Sequence, residues 1–499
     1  MRLNWRRFGC IFSLFLLLWG VWQPVLFAKQ TNNEQLILHI ISRTSFGVTP
    51  QQIETVKARG IENYLQAQLD PQKIEETATL NQRLAQVEIL NRSSFELFET
   101  FQQYTNQLNG NKAANLSVAE KEKIQLKRNQ YRAKVIRQTR QAHLARAIAS
   151  KRQLQELMTD FWLNHFNVFA PRKIVSFWLA DYVSDIRKLA LGNFADLLSL
   201  TAHHPAMLIY LDNDLNSKPK NSRNNPNVQG LNENYARELM ELHTLGVDGG
   251  YTQQDVIALA KILTGWGVDR TGNLGDENNF RFYRQRHDFS DKQFLGTTIA
   301  GSGQPEGEQA LNMLANHPAT ARLISYKLAQ YFVADKPPET LVKSLTRSFI
   351  DSQGNIKTVL NTLFHAPEFN DPQYYGAKFK TPLQYIISVL RISNLTNPNL
   401  TKIDGMLNRL SMPLFGCQSP NGYPNTEEAW LNSNSLLERV GFSVNIKREF
   451  FGKQKPTDAD TLIKILESRL TAKTKKTISD SPQDLRTALI LGSPEMMYR

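Results

Sequence analysis

LQELMTDFWLNHFNVF, residues 154–169, opens the run of sequence that decides the fold. Its apolar positions recur at helical spacing, and three further apolar segments follow closely: VSFWLADYVSDIRKLAL (175–191), FADLLSL (194–200) and PAMLIYL (205–211). Segments this apolar, this close and of helical rather than alternating period must bury against one another, which places them at the centre of a helical fold. Working outward toward the N-terminus, residues 117–149 read as one extended helix carrying Lys121, Lys127, Arg128, Arg132, Lys134, Arg137 and Arg140. Such a charge run is a solvated face or a contact to an anionic surface. Earlier still, residues 35–42 are apolar at helical spacing, and Thr49-Pro50 reads as an N-cap with proline at the first helical position. Toward the C-terminus, Thr252 and Asp255 form the spacing of a capping box ahead of the apolar face VIALAKIL. Helical pattern resumes at 307–314, 320–333 and 338–350 and continues to the end, interrupted by the Pro/Gly stretch 413–424. Phe280 and Phe282, alternating with Arg281 and Tyr283, mark a small strand or hairpin between Asn279 and Leu295. The expectation is a mainly α protein: one large multi-helix domain over 29–499, centred on about 154–395, with a small β-hairpin.

The N-terminus has the layout of an export signal. Arg2, Arg6 and Arg7 precede the apolar run Phe8–Trp22, and Gln23-Pro24 lead to a cleavage position after Ala28. Residues 1–28 are therefore expected to be a signal peptide, with a retained membrane anchor as the alternative, and the remainder to work in the periplasm or outside the cell. Loss of the signal removes Cys10 and leaves Cys417 alone, so stability must come from a core rather than from an intrachain disulfide. The formal net charge of +13 has to be read in that compartment. Export argues against nucleic acid as a partner and toward an anionic envelope component or acidic polysaccharide, or toward charge kept for solubility alone.

Ionisable, polar and glycine positions concentrate in NENYARELMELHTLGVDGGYTQQDVIALAKILTGW, residues 232–266. Stepping 100° per residue from Glu233, Arg237 falls at about 40°, Glu241 at about 80°, Asn234 at about 100° and Glu238 at about 140°, giving one polar stripe. Its ordinary reading is a ladder of surface ion pairs. Its functional reading is a guanidinium flanked by carboxylates, able to hold an anion or to trade protons. On a regular helix His243 points away from Glu241, so these two cannot chelate one ion. Gly246 is placed to end this helix in a left-handed cap.

Three histidines are candidates to join the stripe. His165 sits on the apolar face of its helix next to Asn164, where a hydrogen-bonded core imidazole is the ordinary outcome. His204 lies at a helix junction before Pro205, and His287 precedes Asp288 in a loop. Asp212-Asn213-Asp214-Leu215-Asn216 begins like a calcium loop, but Ser217 and Arg223 stand where an EF-hand needs glycine and glutamate. The sequence lacks HExxH, a pair of ExxH segments and a serine nucleophile elbow, so it gives no support to those hydrolase classes.

Eight separated blocks resemble, in order, a bacterial family known as domain of unknown function 1800: HIISRTSFGVTPQQI, DFWLNHFNVF, LGNFADLL with HHPAMLIYLDN, the 232–266 stretch, RQRHDFSDKQFLG, HPATARLISYKLAQYFV, KFKTPLQYI and NGYPNTEEAWLNSNSLLER. The resemblance implies an exported protein, and motif positions at Asn164, His165, His204, Asp212, Asn232, Glu233, Arg237, Glu238, Glu241, His243, His287 and Asp288. It also implies a sulfatase-like exported protein as a partner, and it supplies no reaction. The leading expectation is an envelope enzyme or carbohydrate-processing accessory. Glu233, Glu238, Glu241, His165, His204 and His287 would be its acid/base groups, and Asn164, Asp212, Asn232, Asn234, Arg237 and Asp288 its binding groups. The alternatives are a secreted scaffold or assembly partner in which these residues form a buried polar network, and a protein holding calcium or a transition metal.

Overall fold

The computed structural model describes residues 33–109, 111–218, 230–276 and 278–499. The expected signal or anchor segment, 1–28, lies outside them, as does the greater part of the polar loop before Asn232, including Arg223. Among the described residues no helix is long and apolar enough to cross a membrane.

The protein is mainly helical, with two small antiparallel hairpins. The helices that position the site are α1 (33–44), α2 (Val118–Ala149), α3 (Gln153–His165), α4 (Leu179–Leu189), α5 (Phe194–His203), α6 (Pro205–Tyr210), α7 (Glu233–Glu238), α8 (Gln253–Ile262), α9 (Gln304–Ala315) and α10 (Pro318–Phe332). Their boundaries follow from local chemistry. Ser117 and Glu120 close a reciprocal capping box on α2, and Thr252 and Asp255 do the same on α8. The first half of α2 is solvated, whereas Val135, Thr139, Ala142 and Leu144 of its second half are buried, so one helix is both charged arm and core member.

The apolar segments between 154 and 211 pack on each other as their spacing predicts: α3 lies on α4, α4 on α5 and α5 on α6. Trp162, Trp178 and Trp266 are fully enclosed, and buried apolar side chains from Ile37 to Met497 form one continuous cluster. Trp266 opens strand β1 (Trp266–Val268), which pairs with β2 (Phe280–Phe282), and its ring stacks on His203 at 4.2 Å. The second hairpin, β3 (Lys292–Phe294) with β4 (Thr297–Ile299), lies against α8. Phe280-Arg281-Phe282 thus is a strand as its alternation predicts, but its partner comes from before it rather than after.

Candidate functional site

Sequence periodicity carries α3 on to Phe169, yet the helix stops at His165. From there on, the side chains tie the end of the helix to other segments. Asn164 holds Tyr423 from both sides, donating from Nδ2 to its carbonyl at 2.8 Å and accepting at Oδ1 from its N–H at 2.7 Å. Asn167 donates to the carbonyls of Cys417 and Ser419 at 3.1 and 2.8 Å, and the Tyr182 hydroxyl donates to the Phe166 carbonyl at 2.7 Å. The Pro/Gly stretch 413–424 is thereby pinned as a roof over the end of α3. Gly422 makes that approach feasible: at φ +72° a Cβ would stand 2.2 Å from the Asn164 carbonyl oxygen.

Beneath the roof is a cavity of about 400 Å³, bounded by α3, the 241–247 segment, α10 and the 412–425 loop. Lys327 enters it from α10, with Nζ 3.0 Å from His165 Nδ1 and 3.4 Å from the Leu242 carbonyl. On the far side of the ring, His165 Nε2 meets the His243 carbonyl at 3.1 Å. A carbonyl only accepts, so Nε2 carries the proton and Nδ1 is left as the acceptor for the lysine. Burial, with the Lys327 charge and His243 adding to it, holds the His165 imidazole well below its usual range, so the ring is neutral. Burial alone pulls the Lys327 ammonium down from 10.5 to about 8. The amine makes no ion pair among the described residues, which is uncommon for a buried lysine. Glu241 and Asp160 reach the same cavity, and His143 Nε2 stands 3.7 Å from Asp160 Oδ1, in ion-pair range but beyond hydrogen-bonding distance. Asn425 Oδ1 and His143 Nε2, both on residues of this wall, are buried without a hydrogen-bond partner.

Glu241 reaches the cavity through a local departure from the helix. Residues 239–244 form a π-helical segment, closed by Thr244 Oγ1 donating to the Leu239 carbonyl at 2.7 Å and by the Leu245 N–H donating to the Met240 carbonyl at 2.7 Å. One extra residue per turn re-aims the side chains that follow, so a wheel at 100° per residue misplaces them. His243 is buried against Phe166 at 5.2 Å and lies 6.0 Å from the His165 ring, and burial followed by the Lys327 charge brings it down to about 3. Glu238 is half-buried but does not line the cavity; burial and then Glu241 raise its pKa, against a smaller opposing effect of Arg237.

The remaining candidates fall elsewhere. Glu233 and Arg237 form the ion pair expected of the stripe, at 3.5 Å, and both bind Gln253 of α8, at 2.7 and 2.9 Å, in a solvated cluster. Asn234 is exposed. Asn232 caps α7 and ties Leu211 and Asp212 through their carbonyls at 3.2 and 2.9 Å. Asp212, at φ +61°, is held by Arg172 and Lys173 at 2.6 and 2.5 Å, and Asp214 by Arg270 at 2.6 Å, so the carboxylates of the calcium-like segment are matched to cations. His204 caps α6 by accepting from the Ala206 N–H at 3.1 Å, and burial brings it down to about 3. His287 is wholly enclosed between the Thr264 carbonyl at 2.7 Å and Glu306 at 2.9 Å, while Asp288 turns back onto Ser290. Of the acid/base candidates, His165 and Glu241 share the cavity; Glu233, Glu238, His204 and His287 do not line it. Among the described residues no three His, Cys, Asp or Glu side chains gather in a metal-holding arrangement.

Lys327, His143, Asp160 and the NGYPN turn are the participants that spacing did not single out. The turn was within reach, since Pro and two Asn flanking a Gly-Tyr pair mark a specific loop geometry. Lys327 gave no comparable sign, because a single lysine on a helix reads as solvated.

The fold and cavity define a mainly helical protein with one roofed polar site built from motif residues distant in sequence. The family model described as Protein of unknown function (DUF1800) matches residues 39–498, and the chain belongs to that family. No curated protein and no solved structure matches.

Proposed function

We propose that the roofed cavity is the active site of an exported envelope enzyme, or of a carbohydrate-processing accessory, acting on a polar hydroxylated ligand by acid/base chemistry. The observation that supports this reading is the Lys327–His165 pair: an amine without a carboxylate partner, brought to about 8 and aimed at a cavity that also holds Glu241. An amine at that value exchanges protons near neutral pH, and a carboxylate across the cavity supplies the complementary step. His165 fixes the amine's position, and Asn164 holds the roof turn over the end of α3. The test is turnover and binding of a panel of glycans and glycan esters by the parent, Lys327→Met and Glu241→Gln. Each variant should lose about 100-fold or more in rate while remaining folded. Unchanged rates in both remove the proposal.

A second reading, an exported scaffold, is favoured by the fact that His204, Asn232, His287 and Asp288 are spent on structural hydrogen bonds. It predicts that substitutions in the cavity act on melting temperature and not on ligand binding.

A further inference from the structure

A second and larger cavity, of about 840 Å³, lies where α1 meets the segment 468–499. It is separate from the Lys327 cavity, and one contact divides them. Tyr331 lines the first and Arg499 the second, with Arg499 Nη2 donating to the Tyr331 carbonyl at 2.7 Å and its guanidinium 4.6 Å over the Tyr331 ring.

Around this second cavity the chain gathers more cationic than carboxylate side chains, with Arg43, Arg469, Arg499, Lys378 and Lys380 facing Asp335, Glu427 and Glu495. Arg43 is fully enclosed, with Nη2 on the Tyr374 carbonyl at 2.6 Å and Nε and Nη1 without a partner. Arg499 is likewise buried with Nε and Nη1 unpartnered. Arg469 spends its donors on Ser42 Oγ and the Tyr498 carbonyl, at 3.2 and 3.1 Å, both neutral. Lys380 is buried on Ser388 Oγ and the Met496 carbonyl, at 3.0 and 2.8 Å, also neutral. Asp335, the carboxylate on the inner side, is shared between Lys378 and the Glu427 N–H. Glu495, the acid in the cavity wall, uses Oε1 on Thr471 and Thr474, and its Oε2 is buried without a partner. Burial, and then mutual repulsion with Arg499 and Arg469, drives the Arg43 guanidinium well below its ordinary value. Cations gathered out of water in excess of their counter-charge are costly, and an anion among them reduces that cost.

We infer that this cavity is an oxyanion-binding site, in which a carboxylate, sulfate or phosphate group sits against the Arg469–Arg499 wall, with Lys473 at the rim. The Glu495 carboxylate in the same wall repels a dianion more than a singly charged uronate, which suits an acidic saccharide over a bare sulfate or phosphate. The inference stands apart from the proposal for the Lys327 cavity and survives its failure.

The experiment is calorimetric titration of the full chain at constant ionic strength with sodium sulfate, sodium phosphate, a galacturonate oligomer and its neutral methyl ester. Saturable binding of at least one anion is expected, weakened about tenfold or more in Arg469→Gln, since charge-assisted hydrogen bonds to the anion are lost. Lys473→Glu, on the exposed rim, should also weaken binding and guards against a folding defect in the first variant. Galacturonate binding that exceeds sulfate and loses its advantage in Glu495→Gln assigns the source as a saccharide. Equal binding of the inorganic ions assigns it as a free oxyanion. No saturable binding of any anion, or affinities unchanged in both cation variants, overturns the inference.

Discussion

At the scale of single residues, the cavity under the roof is dominated by one uncomfortable amine. Burial holds the folded-state pKa of Lys327 at about 8, below its ordinary 10.5, so between those values the folded chain binds fewer protons than the unfolded one. Stability attributable to this residue therefore rises as pH climbs through that window, and the full penalty acts below it. Lys327→Met removes the penalty, worth up to about 3 kcal/mol, less about 1 kcal/mol for the hydrogen bond lost at His165. The variant should be about 2 kcal/mol more stable than the parent at pH 7 and no more stable above pH 10.5, checked by urea unfolding across that range. A gain in stability joined to a loss of turnover is the signature of a site rather than of a packing network. Glu306 predicts the opposite. It is enclosed between His287 at 2.9 Å and Lys292 at 2.5 Å, so Glu306→Gln strands a buried ammonium and should cost about 3–5 kcal/mol in denaturant unfolding, with cavity binding otherwise intact.

Among elements, the roof turn and the π-helical segment do the positioning. Gly422→Ala combines a left-handed backbone with a Cβ 2.2 Å from the Asn164 carbonyl oxygen, so the turn must lift. We expect a stability loss of about 2 kcal/mol or more and markedly weaker ligand binding, read by thermal unfolding and titration side by side. The elements also show what a sequence makes legible. Thr49-Pro50, Ser117 with Glu120, Thr252 with Asp255, and Gly246 at φ +85° are caps readable from residue type, because each satisfies its own backbone locally. Glu241 was likewise legible as a candidate from the polarity of its segment, whereas His165 was a candidate whose apolar helix face made a hydrogen-bonded core imidazole the ordinary reading. The π-helical segment was not, since its extra residue is held by Thr244 and by packing against α9 and α10, and no local spacing encodes that. Nor could spacing separate His165, which meets Lys327, from His287, which meets Glu306, because the partners arrive from 162 and 19 residues away.

Over the whole molecule, the parts of the chain farthest apart in sequence close on each other. Gln35 of α1 donates to the Ser468 carbonyl at 3.2 Å, Arg469 reaches back to Ser42, and Lys380 and Lys378 pair with the backbone of Met497 and Arg499. Removing residues 493–499 should strip a wall from the oxyanion cavity and leave Ile37, Ile40 and Ile41 less protected; hydrogen exchange across α1 would report faster exchange there than in α3 or α4. Contacts this long in sequence cost loop-closure entropy before they return any burial, so the joining of α1 to the 468–499 segment belongs to the late, slow part of folding.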